Sequence, residues 1–256
     1  MRLETRAVRA ARGQVVTESP FEKGQPHVPL IDLSTTYTFE RSSAVAESMD
    51  ALIEGAGEAP NPVYARLRNP TVAGFENALA DLESAEAAVA FASGMAAITA
   101  MVLAAGSEAA PDGWARGRHI VAIRPIYGGT DHLLATGILG TEVTWAEPDE
   151  VAESLREDTC LVLLETPANP TLAMVDIAGV VSQVRATEKR FGYRIAVAVD
   201  NTFATPILQR PLELGADLVV HSATKFLGGH GDVMGGVVAS SEDWAKPLRQ
   251  TRMITG

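Results

Sequence analysis

Short apolar runs recur along this chain, spaced so that a helix fits between most neighbours: Ala87–Phe91, His119–Ile123, Thr141–Trp145, Cys160–Leu164, Ile195–Val199, Leu218–His221 and Gly236–Ala239. Most are apolar at consecutive positions, so both faces of the resulting strand must be covered. Strands buried on both faces and separated by helices predict a mostly parallel sheet with helices on either side, an α/β fold. The 256 residues, 46% of them hydrophobic, suffice for one large domain of this kind.

The runs end in polar or special residues: Ser93-Gly94, Tyr127, Glu165-Thr166, Asp200-Asn201, and Ser222 to Lys225. Ligands of open α/β sheets bind outside the carboxyl ends of the strands, so these endings should converge on one crevice. The first sixty or so residues behave differently. They carry Pro20, Pro26, Pro29, Pro60 and Pro62 and lack sustained periodicity. They are expected to form an extended arm with one short helix around Ser43 to Glu54, lying across another surface such as a partner subunit. Asn69-Pro70-Thr71 then starts a helix bearing Phe75, Leu79 and Leu82 at helical spacing.

A formal charge of −11 repels phosphate backbones and argues against nucleic acid as a partner. No apolar run approaches the length of a membrane span. The single cysteine, Cys160, rules out an internal disulfide and fits a reducing compartment, so the chain is read as cytoplasmic. Its apolar surroundings, Thr-Cys-Leu-Val-Leu-Leu, predict a buried, inert thiol.

Three strand endings carry chemistry together. Ser93 and Gly94 open a helix, where free N–H groups and the helix dipole favour an anion; the alternative is that Ser93 only caps the helix. Asp200 closes a buried strand, where a carboxylate can pair with a protonated ring nitrogen or merely close a turn. Lys225, in His221-Ser-Ala-Thr-Lys225, lies just past a strand end beside Ser222 and Thr224. Enclosure there would make it a better nucleophile toward an aldehyde, and the two hydroxyls could serve the same anion as Ser93 and Gly94. A surface lysine is the alternative. Tyr127-Gly-Gly-Thr130 adds an aromatic ring that could stack on a flat cofactor, and Arg66, in Tyr64-Ala-Arg66, has the fork that suits phosphate.

Other motifs are less compatible. Ser222-Ala-Thr-Lys225 fits the pattern of serine acyl-enzymes, but the companion Ser-Asp-Asn and Lys-Thr-Gly motifs are missing. His230 and Asp232 are too few for a metal site, and no metal is expected.

With those residues in place, the chain resembles the Cys/Met-metabolism enzymes that depend on pyridoxal phosphate (PLP). This family includes cystathionine γ-synthase, cystathionine γ-lyase, methionine γ-lyase and the O-acylhomoserine sulfhydrylases. The resemblance runs through Leu33-Ser-Thr-Thr-Tyr37, Tyr64-Ala-Arg66, Asn69-Pro-Thr71, Phe91-Ala-Ser-Gly-Met95, Tyr127-Gly-Gly-Thr130, Glu165-Thr-Pro-Ala-Asn-Pro-Thr171, Asp200-Asn-Thr-Phe203 and His221-Ser-Ala-Thr-Lys225. It implies the aspartate aminotransferase-like large domain of type I PLP enzymes over residues 64–256, preceded by an N-terminal arm over residues 1–63. It also implies γ-elimination or γ-replacement on a sulfur amino acid or an O-acylhomoserine.

Site roles follow from the resemblance alone. Lys225 would hold PLP as a Schiff base and move protons. Asp200 would hold the ring nitrogen, with Thr202 beside it. Tyr127 would stack on the ring and assist leaving-group chemistry. Gly94 and Met95, next to Ser93, would cradle the phosphate with Ser222 and Thr224. Asn169 would lie near the cofactor's phenolic oxygen and the substrate carboxylate. Tyr64 and Arg66 would reach the phosphate of a neighbouring subunit, implying a catalytic dimer within a tetramer.

The chain departs from the family at two points. Methionine γ-lyases typically carry cysteine where this chain has Gly129, which favours cystathionine γ-synthase or γ-lyase chemistry over methionine γ-lyase, with O-acetylhomoserine sulfhydrylase also open. Family members also continue into a C-terminal domain with an arginine for the substrate carboxylate, whereas this sequence ends at Gly256. A PLP-binding chain without turnover is therefore the alternative of another class.

Overall fold

A computed structural model describes residues 2–9 and 28–256. The stretch of the arm that holds Pro20 and Pro26 lies outside the described residues. Seven strands form one sheet: β1 Ala87–Phe91, β2 His119–Ile123, β3 Glu142–Ala146, β4 Thr159–Glu165, β5 Ala196–Asp200, β6 Leu218–Ser222 and β7 Gly236–Ser240. The helices are α1 Leu3–Arg9, α2 Ser42–Ile53, α3 Pro70–Glu83, α4 Gly94–Gly106, α5 Gly128–Ala135, α6 Val151–Ser154, α7 Ile177–Glu188, α8 Thr205–Leu208 and α9 Glu242–Thr255.

Each strand contains most of the apolar run that predicted it, but several begin or end on polar residues such as Thr159, Glu165, Asp200 and Ser222. An apolar run marks only the part of a strand that is buried, while backbone pairing continues past it. The sheet order is β1-β7-β6-β5-β4-β2-β3. Pairings β2–β3, β2–β4, β4–β5 and β5–β6 are parallel, and β7 runs antiparallel to both of its neighbours. The reversal has a local cause. Among the described elements no helix lies between Ser222 and Gly236, so the chain turns at the end of β6 and comes straight back. Lys225 sits in that turn.

Helices cover both faces. Ala88, Val219, Val237 and Ala239 pack with Leu79 and Ala80 of α3. Val89, Val220 and Val238, which alternate with them along the strands, pack on the other side with Ala97, Met101 and Ala105 of α4. Helix α4, Gly-Met-Ala-Ala-Ile-Thr-Ala-Met-Val-Leu-Ala-Ala-Gly, carries no charge, as a helix enclosed by the sheet and by α9 must. Helix α3 starts as the sequence indicates: the Asn69 side chain accepts from the N–H groups of Thr71 and Val72, and Pro70 fills the first turn.

The expected short helix of the arm is α2, and α1 is an addition that the arginine-rich start of the chain did not suggest. The described parts of the arm lie against this chain's own helices. Arg6 pairs with Asp81 of α3 at 3.0 Å, and Arg249 of α9 donates to the Gly55 carbonyl just after α2 at 3.1 Å. Cys160 is buried in β4, and burial pushes its thiol up to about 12, which makes it inert. Among the described residues no helix is long and apolar enough to cross a membrane.

Candidate active site

The carboxyl ends of β4, β5 and β6, the loop after β2 and the first turn of α4 enclose a cleft of about 250 Å³. Each wall follows from a local feature. Ser93 precedes α4 in extended backbone, and its hydroxyl accepts from the Ala96 N–H at 3.1 Å while its carbonyl accepts from Ala97. The capping alternative for Ser93 is therefore realised. It also leaves Gly94 and Met95 as the first-turn N–H groups with no partner inside the helix. An anion at the mouth of α4 would meet those two donors and the positive end of the helix dipole. Gly94 permits this layout, because a Cβ there would fall 2.8 Å from Cβ of Ser222.

Asp200 closes β5 and is buried. Thr202 holds one of its oxygens twice, through the backbone N–H at 3.0 Å and through the hydroxyl at 2.5 Å, both to Oδ1. The same Thr202 oxygen accepts from the Ser222 N–H at 2.8 Å, tying the ends of β5 and β6 together. Oδ2 of Asp200 has no hydrogen-bond partner among the described residues and is free to accept from a ring N–H in the cleft. Burial pushes the Asp200 carboxyl above the usual range, while the two Thr202 bonds and the nearby His221 oppose the rise.

The Lys225 amine has no hydrogen bond or ion pair among the described residues, and the residue is exposed. The enclosure expected from its neighbours is thus not supplied within one chain. The short turn after β6 carries it past the edge of the sheet. Thr224 is tied into its own turn. Its hydroxyl donates to the Gly235 carbonyl at 3.2 Å and accepts from the Gly235 N–H at 3.1 Å, so it staples the β6–β7 turn while lining the cleft. The Ser222 hydroxyl carries no such bond and lines the cleft.

Tyr127 and Asn169 enter from the loops after β2 and β4. At Gly129 a Cβ would sit 2.5 Å from the Tyr127 ring and 3.2 Å from the Met95 sulfur, so any larger residue in that turn would displace the ring. Tyr64 and Arg66 are not in the cleft. Both are exposed, with the guanidinium 5.4 Å from the centre of the Tyr64 ring. Arg66 faces a separate cavity of about 760 Å³ that also borders on Met234.

One residue of the cleft had been given no role. Glu165 ends β4 in register with Asp200, is buried, and accepts from the N–H groups of both Tyr127 and Asn169. Burial first, and then the Asp200 charge, push its carboxyl up to about 7. An acidic residue closing a wholly apolar strand was the signal that singled out Asp200, and it would have found Glu165 as well.

The arrangement has an anion-binding end at α4, a carboxylate for a cationic nitrogen at β5, an unpaired amine at the β6 turn, and an aromatic ring to one side. Those are the requirements of a flat, phosphorylated pyridine aldehyde.

Residues 11–256 match the family described as Cys/Met metabolism PLP-dependent enzyme. L-methionine gamma-lyase of Streptomyces avermitilis is 52% identical over 255 residues, covering 99% of this chain and 57% of that protein. Cystathionine gamma-lyase of Bacillus subtilis is 40% identical over 207 residues, 78% of this chain and 51% of that protein. Among solved structures, a cystathionine gamma-lyase of Micromonospora echinospora, CalE6, superposes with a TM-score of 0.78 at 34% identity, covering 100% of this chain and 60% of that one. A second structure of CalE6, described as a methionine gamma-lyase, gives 0.76. The chain spans about half the length of the curated relatives it matches.

Proposed function

Because the chain belongs to the Cys/Met-metabolism PLP-dependent enzymes, we propose that its cleft is the PLP site of an enzyme performing γ-elimination or γ-replacement on a sulfur amino acid or an O-acylhomoserine. One observation carries this reading. An unpaired amine at Lys225, a free carboxylate oxygen at Asp200 and two unpartnered N–H groups at the start of α4 line a single cleft. PLP, when bound, supplies a protonated pyridine ring that accepts the electron pair left at the substrate's α-carbon.

The chain's own residues do the rest. Asp200 keeps the ring nitrogen protonated, since a carboxylate at that atom stabilises the cation. Gly94 and Met95 orient the phosphate, with the Ser222 hydroxyl beside them. The Lys225 amine anchors the aldehyde carbon and carries protons between the α- and β-carbons of the substrate. Tyr127 covers one face of the ring and stands near the departing γ-substituent, and Asn169 orients the substrate carboxylate. Tyr64 and Arg66 serve the phosphate of a neighbouring subunit, with residues 1–63 as the arm that reaches it and 64–256 as the PLP-binding domain. The exposed Lys225 supports that assignment, because a neighbouring subunit would supply the cover that one chain lacks. The enzyme is assigned to the cytoplasm as a homotetramer of paired dimers.

Lys225→Ala tests the site. The variant should lose the visible absorbance band that marks a lysine-bound PLP, while a retained band would overturn the assignment. Activity is tested by incubating the protein with cystathionine, O-succinylhomoserine, O-acetylhomoserine and methionine and measuring ammonia and 2-oxo acid. Cofactor absorbance without product from any of them would mark a PLP-binding chain without turnover. The substrate reading favours cystathionine on Gly129. A second reading, methionine, is favoured by relatives of that name at 52% and 53% identity, and the same panel separates the two.

A further inference from the structure

Two loops form the walls of the cleft beside Asp200, one after β2 carrying Tyr127 and one after β4 carrying Asn169. They come from different strands, and both hang on one side chain. Glu165 Oε2 accepts from the Tyr127 N–H, and Oε1 accepts from the Asn169 N–H at 3.0 Å. Glu165 is 4% exposed, so no water competes for either oxygen from the bulk. A carboxylate that receives two backbone N–H bonds is a rigid bracket, and charge-assisted bonds are the stronger kind.

We propose that Glu165 is a positioning residue: its carboxylate clamps the Tyr127 and Asn169 loops together and so sets where both side chains stand over the cofactor. The proposal rests on reading the cleft as the PLP site. It adds a residue that acts through the two loops it holds, those of Tyr127 and Asn169.

The clamp is electrically linked to the ring-binding carboxylate. Glu165 and Asp200 are register partners at the ends of β4 and β5, and each charge disfavours the other. The other ionisable groups of the cleft are the Tyr127 phenol and the Lys225 amine, and His221 acts on Asp200 from β6. With the Glu165 carboxyl at about 7, the fully ionised clamp forms above that pH. Below it one oxygen becomes a hydroxyl and the other loses its share of the charge, so both loop bonds weaken. A cation at Asp200 would remove the like-charge repulsion and favour the ionised clamp at lower pH.

The test follows the backbone amide resonances of Tyr127 and Asn169 by NMR from pH 5.5 to 8.5 in cofactor-free protein. Both should shift downfield along one curve with a midpoint near 7, and Glu165→Gln should flatten both. Amides that do not titrate, that titrate with different midpoints, or that keep their curves in Glu165→Gln would overturn the proposal. If the variant does not fold, the shared curve in the wild-type protein alone decides. A second arm titrates each protein with PLP at pH 8, where Glu165→Gln should bind roughly tenfold more weakly and Glu165→Asp, which keeps the charge, should fall between. Equal affinity in all three would also refute the role. Failure of the wild-type protein to bind PLP would instead refute the reading of the cleft, and the amide curves would still report on the clamp.

Discussion

Behind the cleft, on the α3 side of the sheet, Glu83 and His221 meet with no exposure at all. His221 shares a face with Val219 and pairs across the sheet with Val237, both of which pack on α3. Glu83 Oε1 accepts from the Asn201 side-chain amide at 2.9 Å and contacts His221 Nε2 at 2.6 Å. Replacing Glu83 with Leu removes that acceptor and orphans two buried donors. Each unsatisfied polar group costs about 1–3 kcal/mol; two donors are orphaned and the already unpartnered Glu83 Oε2 is removed, so the single variant should lose about 1–3 kcal/mol net. Replacing His221 with Leu as well removes one of the orphans. The Asn201 amide still donates to the Gln209 carbonyl at 3.0 Å with its other hydrogen, so a single N–H remains unpaired. The double variant should therefore be more stable than Glu83→Leu by about 1–3 kcal/mol, since an apolar pair replaces a broken polar one. Urea unfolding of the three proteins with a common m-value measures both differences. The reasoning fails if the double variant unfolds at or below the urea midpoint of the single one, or if Glu83→Leu loses less than about 1 kcal/mol.

Other expectations follow from the cleft. Gly94→Ala forces α4 away from Ser222 and should weaken PLP binding by about tenfold or more, read by absorbance titration, at an overpacking cost of about 1–3 kcal/mol. Thr202→Val removes the hydroxyl that donates to Asp200 and leaves the Ser222 N–H unpaired. A charge-assisted bond of about 1.5–3 kcal/mol implies a loss in PLP affinity of roughly 10- to 150-fold. The pH dependence of stability has a definite sign. The Glu165 carboxyl is raised from 4.5 to about 7 on folding, so the folded state binds the proton more tightly. Cofactor-free protein should then lose about 3 kcal/mol relative to Glu165→Gln as pH rises from 4.5 to 7, with no further loss above, read from urea unfolding at several pH values. Arg66→Ala should weaken PLP binding in preparations that sediment as dimers or larger and leave monomeric protein unaffected.

Much of the cleft's lining was legible because each element announces itself locally. Asp200 and Lys225 follow apolar strands that must be buried, and residues just beyond buried strand ends have few places to go except the crevice. Thr224 shows the limit of local reading. Its hydroxyl could serve a phosphate or its own turn, and the choice depends on Gly235, which the β6–β7 turn brings back beside it. Glu165 was quoted within a motif and left without a role, because its partners come from the loops after β2 and β4 and proximity in sequence names only one of them.

The alternation of doubly buried strands and helices determined the α/β architecture, since no other arrangement covers both faces of so many apolar runs. The residues at the strand ends likewise set which polar groups line the cleft. Burial and pairing between distant residues were decided only by the tertiary structure. It put Glu83 against His221, placed Glu165 beside Asp200, reversed β7, and left Lys225 open on one chain. Local sequence sets which conformations a segment can adopt. Which polar groups meet in the dry interior depends on how the strands order themselves in the sheet, and no segment carries that information alone.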